Sequence, residues 1–224
     1  MEQTAQIINF PLAGKRSRRK ATKSVDTIKY FTATQIALLR RTARGDNEIA
    51  RANDQLKGVR NWMVIDLLTS TGLRVSEASD VKIVDLKIGY GQSEIHVRNG
   101  KGHISGTVII PESLKKHLKS YLTWKQKHGE GIESDDYLLI GQRGHLTSQG
   151  IQQIIKGYLR MLSLYEPGKS VHALRHSYAV QLYQREKDLR CVQKQLRHVS
   201  VQSTLIYADV SKDEIAAQVE GLWG

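Results

Sequence analysis

The stretch VRNWMVIDLLTS, residues 59–70, constrains the fold more than any other. Wound as a helix it is apolar on most sides, so it reads as a central helix that other elements must cover. Gly72 ends it, and a short helix follows from Arg74. Upstream, Thr32-Ala33-Thr34-Gln35 reads as a capping box opening a helix that stops at Gly45. The polar residues 46–57 either extend that helix or form a loop. Downstream, SEIHVRNGKGHISGTVIIP (93–111) alternates on both sides of Asn99-Gly100, a favoured hairpin turn. Further helices are expected at 113–128, 148–163, 171–186, 188–197, 201–207 and 212–222, with a short strand at 136–140. No internal repeat, glycine-rich phosphate loop or strand–helix alternation is present, which disfavours a nucleotide-binding α/β fold. The expected class is α+β, mainly helical, with a small antiparallel sheet.

Charge narrows the partner. The 224 residues carry 34 Lys and Arg against 22 Asp and Glu, a formal +12. Such a surplus suits a polyanion, most often nucleic acid, although a membrane surface is also compatible. The longest apolar runs are too short to span a bilayer, and MEQTAQIINF lacks the order of a signal peptide. The single cysteine, Cys191, excludes an internal disulfide and reads as a small buried hydrophobe within LRCVQKQL. These features fit a cytoplasmic protein.

Residues 1–27 differ from the rest. The segment GKRSRRKATKS holds Lys15, Arg16, Arg18, Arg19, Lys20 and Lys23 and no acid. Two readings fit equally: a solvated leader, and a DNA-binding arm that neutralises phosphates. The remaining residues, 28–224, read as one domain.

The segment HALRH, 172–176, sets three groups able to carry positive charge within little more than one helical turn. Ser170 can cap a helix beginning near Val171, with Val171, Leu174, Tyr178 and Leu182 as the buried stripe. His172 and Arg175 then share the flank of that stripe, while His176 points further round. Taken alone, these residues suit a salt-bridged arginine and a satisfied histidine. His172 and His176 have zinc-like spacing, but no third ligand is evident, so no metal is expected.

Three more segments change that balance. TGLRVSE (71–77) places Arg74 after a helix-breaking glycine, with Glu77 three residues on. NGKG puts Lys101 at the hairpin tip. LRHVSVQSTLIYADV (196–210) carries His198 and Tyr207. In this order the segments resemble the boxes of the tyrosine recombinases, or phage-type integrases, from about residue 30 to the C-terminus. The chain is similar to the short fimbrial phase-switch recombinases in having little more than a catalytic domain. The resemblance therefore implies no separate N-terminal core-binding domain in this chain. One departure stands out. The family usually has glycine before the last histidine, and Arg197 is found here, which changes a backbone constraint and removes no catalytic group.

The resemblance implies a site-specific recombinase acting on double-stranded DNA without ATP, metal or other cofactor. Tyr207 would be the nucleophile and form a 3′-phosphotyrosine link. Arg74 and Arg175 would bind the non-bridging oxygens, with His198 donating to the same oxygens. His172 would accept the tyrosine proton and Lys101 would protonate the leaving oxygen. Glu77 and His176 are expected to be structural partners of these groups. Recombination of two duplexes implies a homo-oligomer on DNA, a tetramer in the synaptic complex, with an accessory bending or clamp protein as a further partner. A bacterial, nucleoid-associated location follows from the same resemblance. A non-cutting DNA-binding regulator and a topoisomerase-like nicking and resealing enzyme are the alternatives. The last helix, opening at Ser211 and Glu214 with Ile215, Val219 and Leu222 as its stripe, would pack on its own domain or on a neighbouring protomer.

Overall fold

The central element is α2, Leu56–Thr71, on which Val59, Met63, Val64, Ile65 and Leu67 are completely buried. Helices α1 (Ala33–Ala52), α3 (Val75–Ser79), α4 (Glu112–Lys127), α5 (Ser148–Met161) and α6 (Val171–Glu186) all pack against it. The sequence reading of residues 59–70 thus holds for a physical reason. A helix apolar on most sides is stable only when neighbours exclude water from each side. The computed structural model describes residues 29–98, 105–167, 169, 171–198, 202–207 and 220.

Helix α1 begins at the expected capping box, with Thr32 Oγ1 accepting from Gln35 N and Gln35 Oε1 accepting from Thr32 N. It does not stop at Gly45 but continues to Ala52. Leu39, Ala43, Asn47 and Ala50 form its buried stripe, so the face packed on α2 runs past the glycine and outweighs its low helix propensity.

Inside this helical layer lies a buried polar network centred on Asp66. Asp66 of α2 meets Arg40 Nη2 at 2.6 Å and His117 Nδ1 at 2.6 Å, and accepts from Ser70 Oγ at 2.9 Å. Burial pushes the Asp66 carboxyl up, but the His117 hydrogen bond and the Arg40 charge hold it below the usual range. The network ties α1 and α4 to α2 by groups that hydrophobic periodicity does not reveal.

A three-stranded antiparallel sheet covers one side: β1 (Leu86–Lys87), β2 (Glu94–Val97) and β3 (Gly106–Ile109), in that order. Ile95 pairs with Val108, and both are fully buried. The expected hairpin is therefore present, with β1 as an additional strand. Its tip, including Asn99, Gly100 and Lys101, lies outside the described residues. The strand expected at 136–140 is instead a two-residue pairing of β4 (Ile140–Gly141) with β5 (Gly144–His145).

Helices α7 (Leu189–Leu196) and α8 (Gln202–Leu205) complete the described chain. Val192 and Leu196 are buried as the stripe requires, together with Ala179, Val180 and Tyr207 in a second, smaller apolar cluster. Cys191 is only half-buried, at an open groove with Ile109, Pro111, Tyr178 and Leu182. The buried stripe of α7 is Val192 and Leu196, and Cys191 lies beside it rather than on it. The Ser170 cap and the helix at 212–222 lie outside the described residues. No described helix is long and apolar enough to cross a membrane.

Candidate active site

The site is built around the C-terminus of α2. Gly72 adopts φ +66°, and a Cβ there would lie 2.6 Å from Tyr178 Cδ1 and 2.9 Å from Leu196 Cδ2. Glycine is required both for the left-handed turn and for the close approach of α6 and α7. The Gly72 carbonyl accepts a 2.6 Å hydrogen bond from Arg175 Nη1, and the Leu196 carbonyl accepts one of 2.7 Å from Arg175 Nη2. Arg175 thus caps the ends of two helices, and its planar fork retains further donors. Burial, followed by the nearby Arg74 charge, lowers its pKa to about 10, so it remains a cation at neutral pH.

Arg74 is the N-cap of α3. Glu77, three residues on, reaches back to it: Oε2 accepts from Arg74 N and Oε1 pairs with Arg74 Nη1, both at 2.7 Å. The same carboxylate is 3.9 Å from Arg175 Nη1 and 2.6 Å from Arg197 Nη2. Burial pushes Glu77 up, but the Arg197 charge and the Arg74 hydrogen bonds overcome this and hold it below the usual carboxylate range. One carboxylate therefore organises three guanidinium groups.

Tyr207 follows α8 and is 5% exposed. Its hydroxyl lies 2.8 Å from His176 Nδ1. Burial raises the phenol to about 12, while the Arg175 and Arg74 charges pull the other way. The same burial, aided by Arg175 and His172, keeps His176 below its ordinary value and hence neutral at pH 7. Nδ1 of a neutral imidazole protonated on Nε2 accepts the phenolic proton. His198 stacks near Tyr207 with ring centroids 6.5 Å apart, and its Nδ1 is 2.9 Å from Thr204 Oγ1. Burial first, then Arg175, Arg74, His176 and Arg197, lower its pKa to about 4. Such crowding of positive charge leaves an imidazole that ionises readily only when an anion enters.

The fold therefore gathers Arg74, Glu77, Arg175, His176, His198 and Tyr207. His172 is exposed on α6, whereas Arg175, three residues on along the same edge, is buried. The reason is that α6 is covered on several sides: Val171, Ala173, Leu174, Ser177, Ala179 and Val180 are also buried. His176, expected as a structural partner, is the histidine in contact with the Tyr207 hydroxyl. Lys101 and the arm residues 15–23 lie outside the described residues. No group of His, Cys, Asp or Glu able to hold a metal ion occurs among the described residues.

Arg197 is the residue that sequence reasoning underrated. It has φ 51° and ψ 47° at the C-cap of α7, a conformation costing a non-glycine residue about 1–2 kcal/mol. Its side chain is 7% exposed and runs over Gly106 of β3, where a Cβ would meet Arg197 Cδ at 2.7 Å. The only available signal was an arginine where the resemblance called for glycine, and nothing in the sequence indicated where its guanidinium would lie.

The phage integrase family model matches residues 45–214. Tyrosine recombinase XerA of Pyrococcus furiosus is 32% identical over 166 residues, covering 72% of this chain and 54% of that protein. Tyrosine recombinase XerC of Herpetosiphon aurantiacus is 38% identical over 160 residues, covering 70% and 50%. The chain thus spans about half the length of the curated relatives it matches. The crystal structure of XerA recombinase superposes with a TM-score of 0.66 at 27% identity, covering 84% of this chain and 63% of that one. That of XerH site-specific recombinase bound to difH substrate, a pre-cleavage complex, gives 0.72 at 22% identity over 92% and 56%, a likeness of fold. With the extent of the family match and the gathered boxes in agreement, the chain belongs to the phage integrase family and contains a tyrosine recombinase catalytic domain.

Proposed function

We propose that this chain cleaves and rejoins double-stranded DNA in site-specific recombination, with Tyr207 as nucleophile. The observation that carries the reading is the Tyr207 hydroxyl, 2.8 Å from a neutral His176, beside two arginines fixed to one carboxylate. The phenolic oxygen attacks phosphorus, the bond to the 5′ oxygen breaks, and a 3′-phosphotyrosine forms. One phosphodiester replaces another, so the reverse attack by a 5′ hydroxyl needs no further energy source. Arg74 and Arg175 stabilise the charge on the non-bridging oxygens. The incoming phosphate also lowers the cost of ionising His198, which then donates to it. His176 accepts the tyrosine proton, with His172 beside it able to pass it on through water, and Lys101 supplies a proton to the leaving oxygen.

Two duplexes must meet for exchange, so a homo-oligomer on DNA, a tetramer in synapsis, belongs to this reading. XerH recombinase has been solved bound to its difH substrate and the Tn1549 transposon integrase in complex with circular intermediate DNA, which supports a DNA partner for this chain too. An accessory clamp protein and the basic arm, 1–27, would supply grip beyond the catalytic domain.

The test is covalent trapping. Wild-type protein and Tyr207→Phe are incubated with nicked DNA fragments flanking the gene, and denaturant-resistant adducts are mapped. An adduct at Tyr207, absent from the Phe variant, is expected. Binding by both proteins without any adduct would favour a non-cutting regulator, and an adduct through another residue would displace Tyr207.

A further inference from the structure

Arg197 is a buried cation with unmet donors. Its Nη2 pairs with Glu77 Oε2 at 2.6 Å, and that contact helps hold the carboxylate ionised. Nε and Nη1 are buried with no hydrogen-bond partner among the described residues. A guanidinium in this condition has lost its water without a full replacement, and an anion is the ligand that restores the balance. The neighbourhood carries the same deficit. Arg74, Arg175 and Arg197 surround the single Glu77 carboxylate, so two positive charges remain uncompensated within this group.

The backbone supplies a second observation. Residue 197 holds a left-handed conformation that favours glycine, yet the position bears the longest of cationic side chains, folded inward over Gly106. Position 197 also precedes His198 and follows Leu196, whose carbonyl binds Arg175, so its side chain leaves the chain between two groups of the site.

We propose that Arg197 is a third arginine of the phosphate site, donating through Nε and Nη1 to a non-bridging oxygen of the scissile DNA phosphate. The inference rests on the reading of the site as one that cleaves DNA, and it deepens that reading. Arg197 neutralises charge on the bound phosphate alongside Arg74 and Arg175. Its loss therefore weakens phosphate binding and slows cleavage without undoing the fold, since glycine suits the backbone at this position.

The test compares wild type, Arg197→Gly and Arg197→Lys. Adduct formation at Tyr207 is timed on a phosphodiester substrate and on one with a neutral methylphosphonate at the scissile position. Arg197→Gly should slow the phosphodiester reaction about ten- to hundred-fold, the equivalent of one lost charge-assisted contact. On the methylphosphonate the deficit should shrink to about two-fold, because less charge remains to be neutralised. Lysine should restore part of the rate. An equal deficit on both substrates, or none, overturns the proposal. Inorganic phosphate is titrated into the DNA-free proteins in parallel, followed by His198 resonances. Weaker binding by Arg197→Gly supports the assignment, and equal binding overturns it. If wild type forms no adduct, the cleavage reading fails by itself, and the phosphate titration still decides whether Arg197 binds an anion.

Discussion

Two glycine-to-alanine substitutions should move stability in opposite directions. At Gly72 the added methyl would sit 2.6 Å from Tyr178 Cδ1 and 2.9 Å from Leu196 Cδ2, on a backbone at φ +66°. The left-handed conformation costs an alanine about 1–2 kcal/mol, and forcing α6 and α7 apart adds about 1–3 kcal/mol. The sum, roughly 2–5 kcal/mol, is a large part of the 5–15 kcal/mol typical of a domain. At Gly45, within α1, a Cβ would meet nothing within 4 Å. Alanine there should stabilise the helix by about 0.5–1 kcal/mol. Urea unfolding followed by circular dichroism measures both. The Gly72→Ala midpoint should fall by about 1 M or more, and the Gly45→Ala midpoint should rise slightly. DNA cleavage should fall only in Gly72→Ala, whose shifted carbonyl no longer aligns Arg175. Midpoints moving in the same direction, or a loss below about 1 kcal/mol at Gly72, would refute the reasoning.

Two further outcomes follow from the titratable groups. His176→Ala removes the acceptor 2.8 Å from the Tyr207 hydroxyl, and should slow adduct formation by about a hundred-fold with DNA affinity unchanged. A larger loss in His172→Ala than in His176→Ala would reverse that assignment. Acid should destabilise the protein in two stages. His198 and His176 sit below their ordinary 6.5 when folded, so the unfolded chain takes up their protons first, and stability declines as pH drops from 6.5 towards the His198 value of about 4. Glu77 and Asp66 are also depressed, so their contribution is present above the ordinary carboxylate range and is lost as pH falls through their lower folded values. A thermal midpoint constant between pH 7.5 and pH 5 would contradict the histidine part.

What the sequence disclosed depended on whether the signal was local. The apolar helix at 59–70, the Thr32 capping box and the Gly72 stop each express a short-range rule, and each appears where expected. Gly45 misled because tertiary packing on α2 outweighs the propensity of one residue. The site residues were legible as boxes, but their contacts were not. His176 meets Tyr207 across 31 residues, and Arg197 meets Glu77 across a still longer separation. Periodicity says which side of a helix is buried when one side is. Helix α6 is buried on several, so the unequal exposure of His172 and Arg175 could not be read from spacing.

Tyr207, the proposed nucleophile, belongs to a small apolar cluster of its own, with Ala179, Val180, Val192 and Leu196, apart from the main core. Arg175 joins the two, since one of its nitrogens holds the Gly72 carbonyl and the other holds Leu196. The side chain that would grip the phosphate is thus also the rivet between the body of the domain and the platform bearing Tyr207. On the proposed function, a pull exerted on Arg175 by DNA would pass to the Leu196 carbonyl and so to the cluster that seats Tyr207. An Arg175 variant would then lose activity for two reasons at once, and amide exchange in 189–207 is the observable that separates a slack platform from a missing phosphate contact.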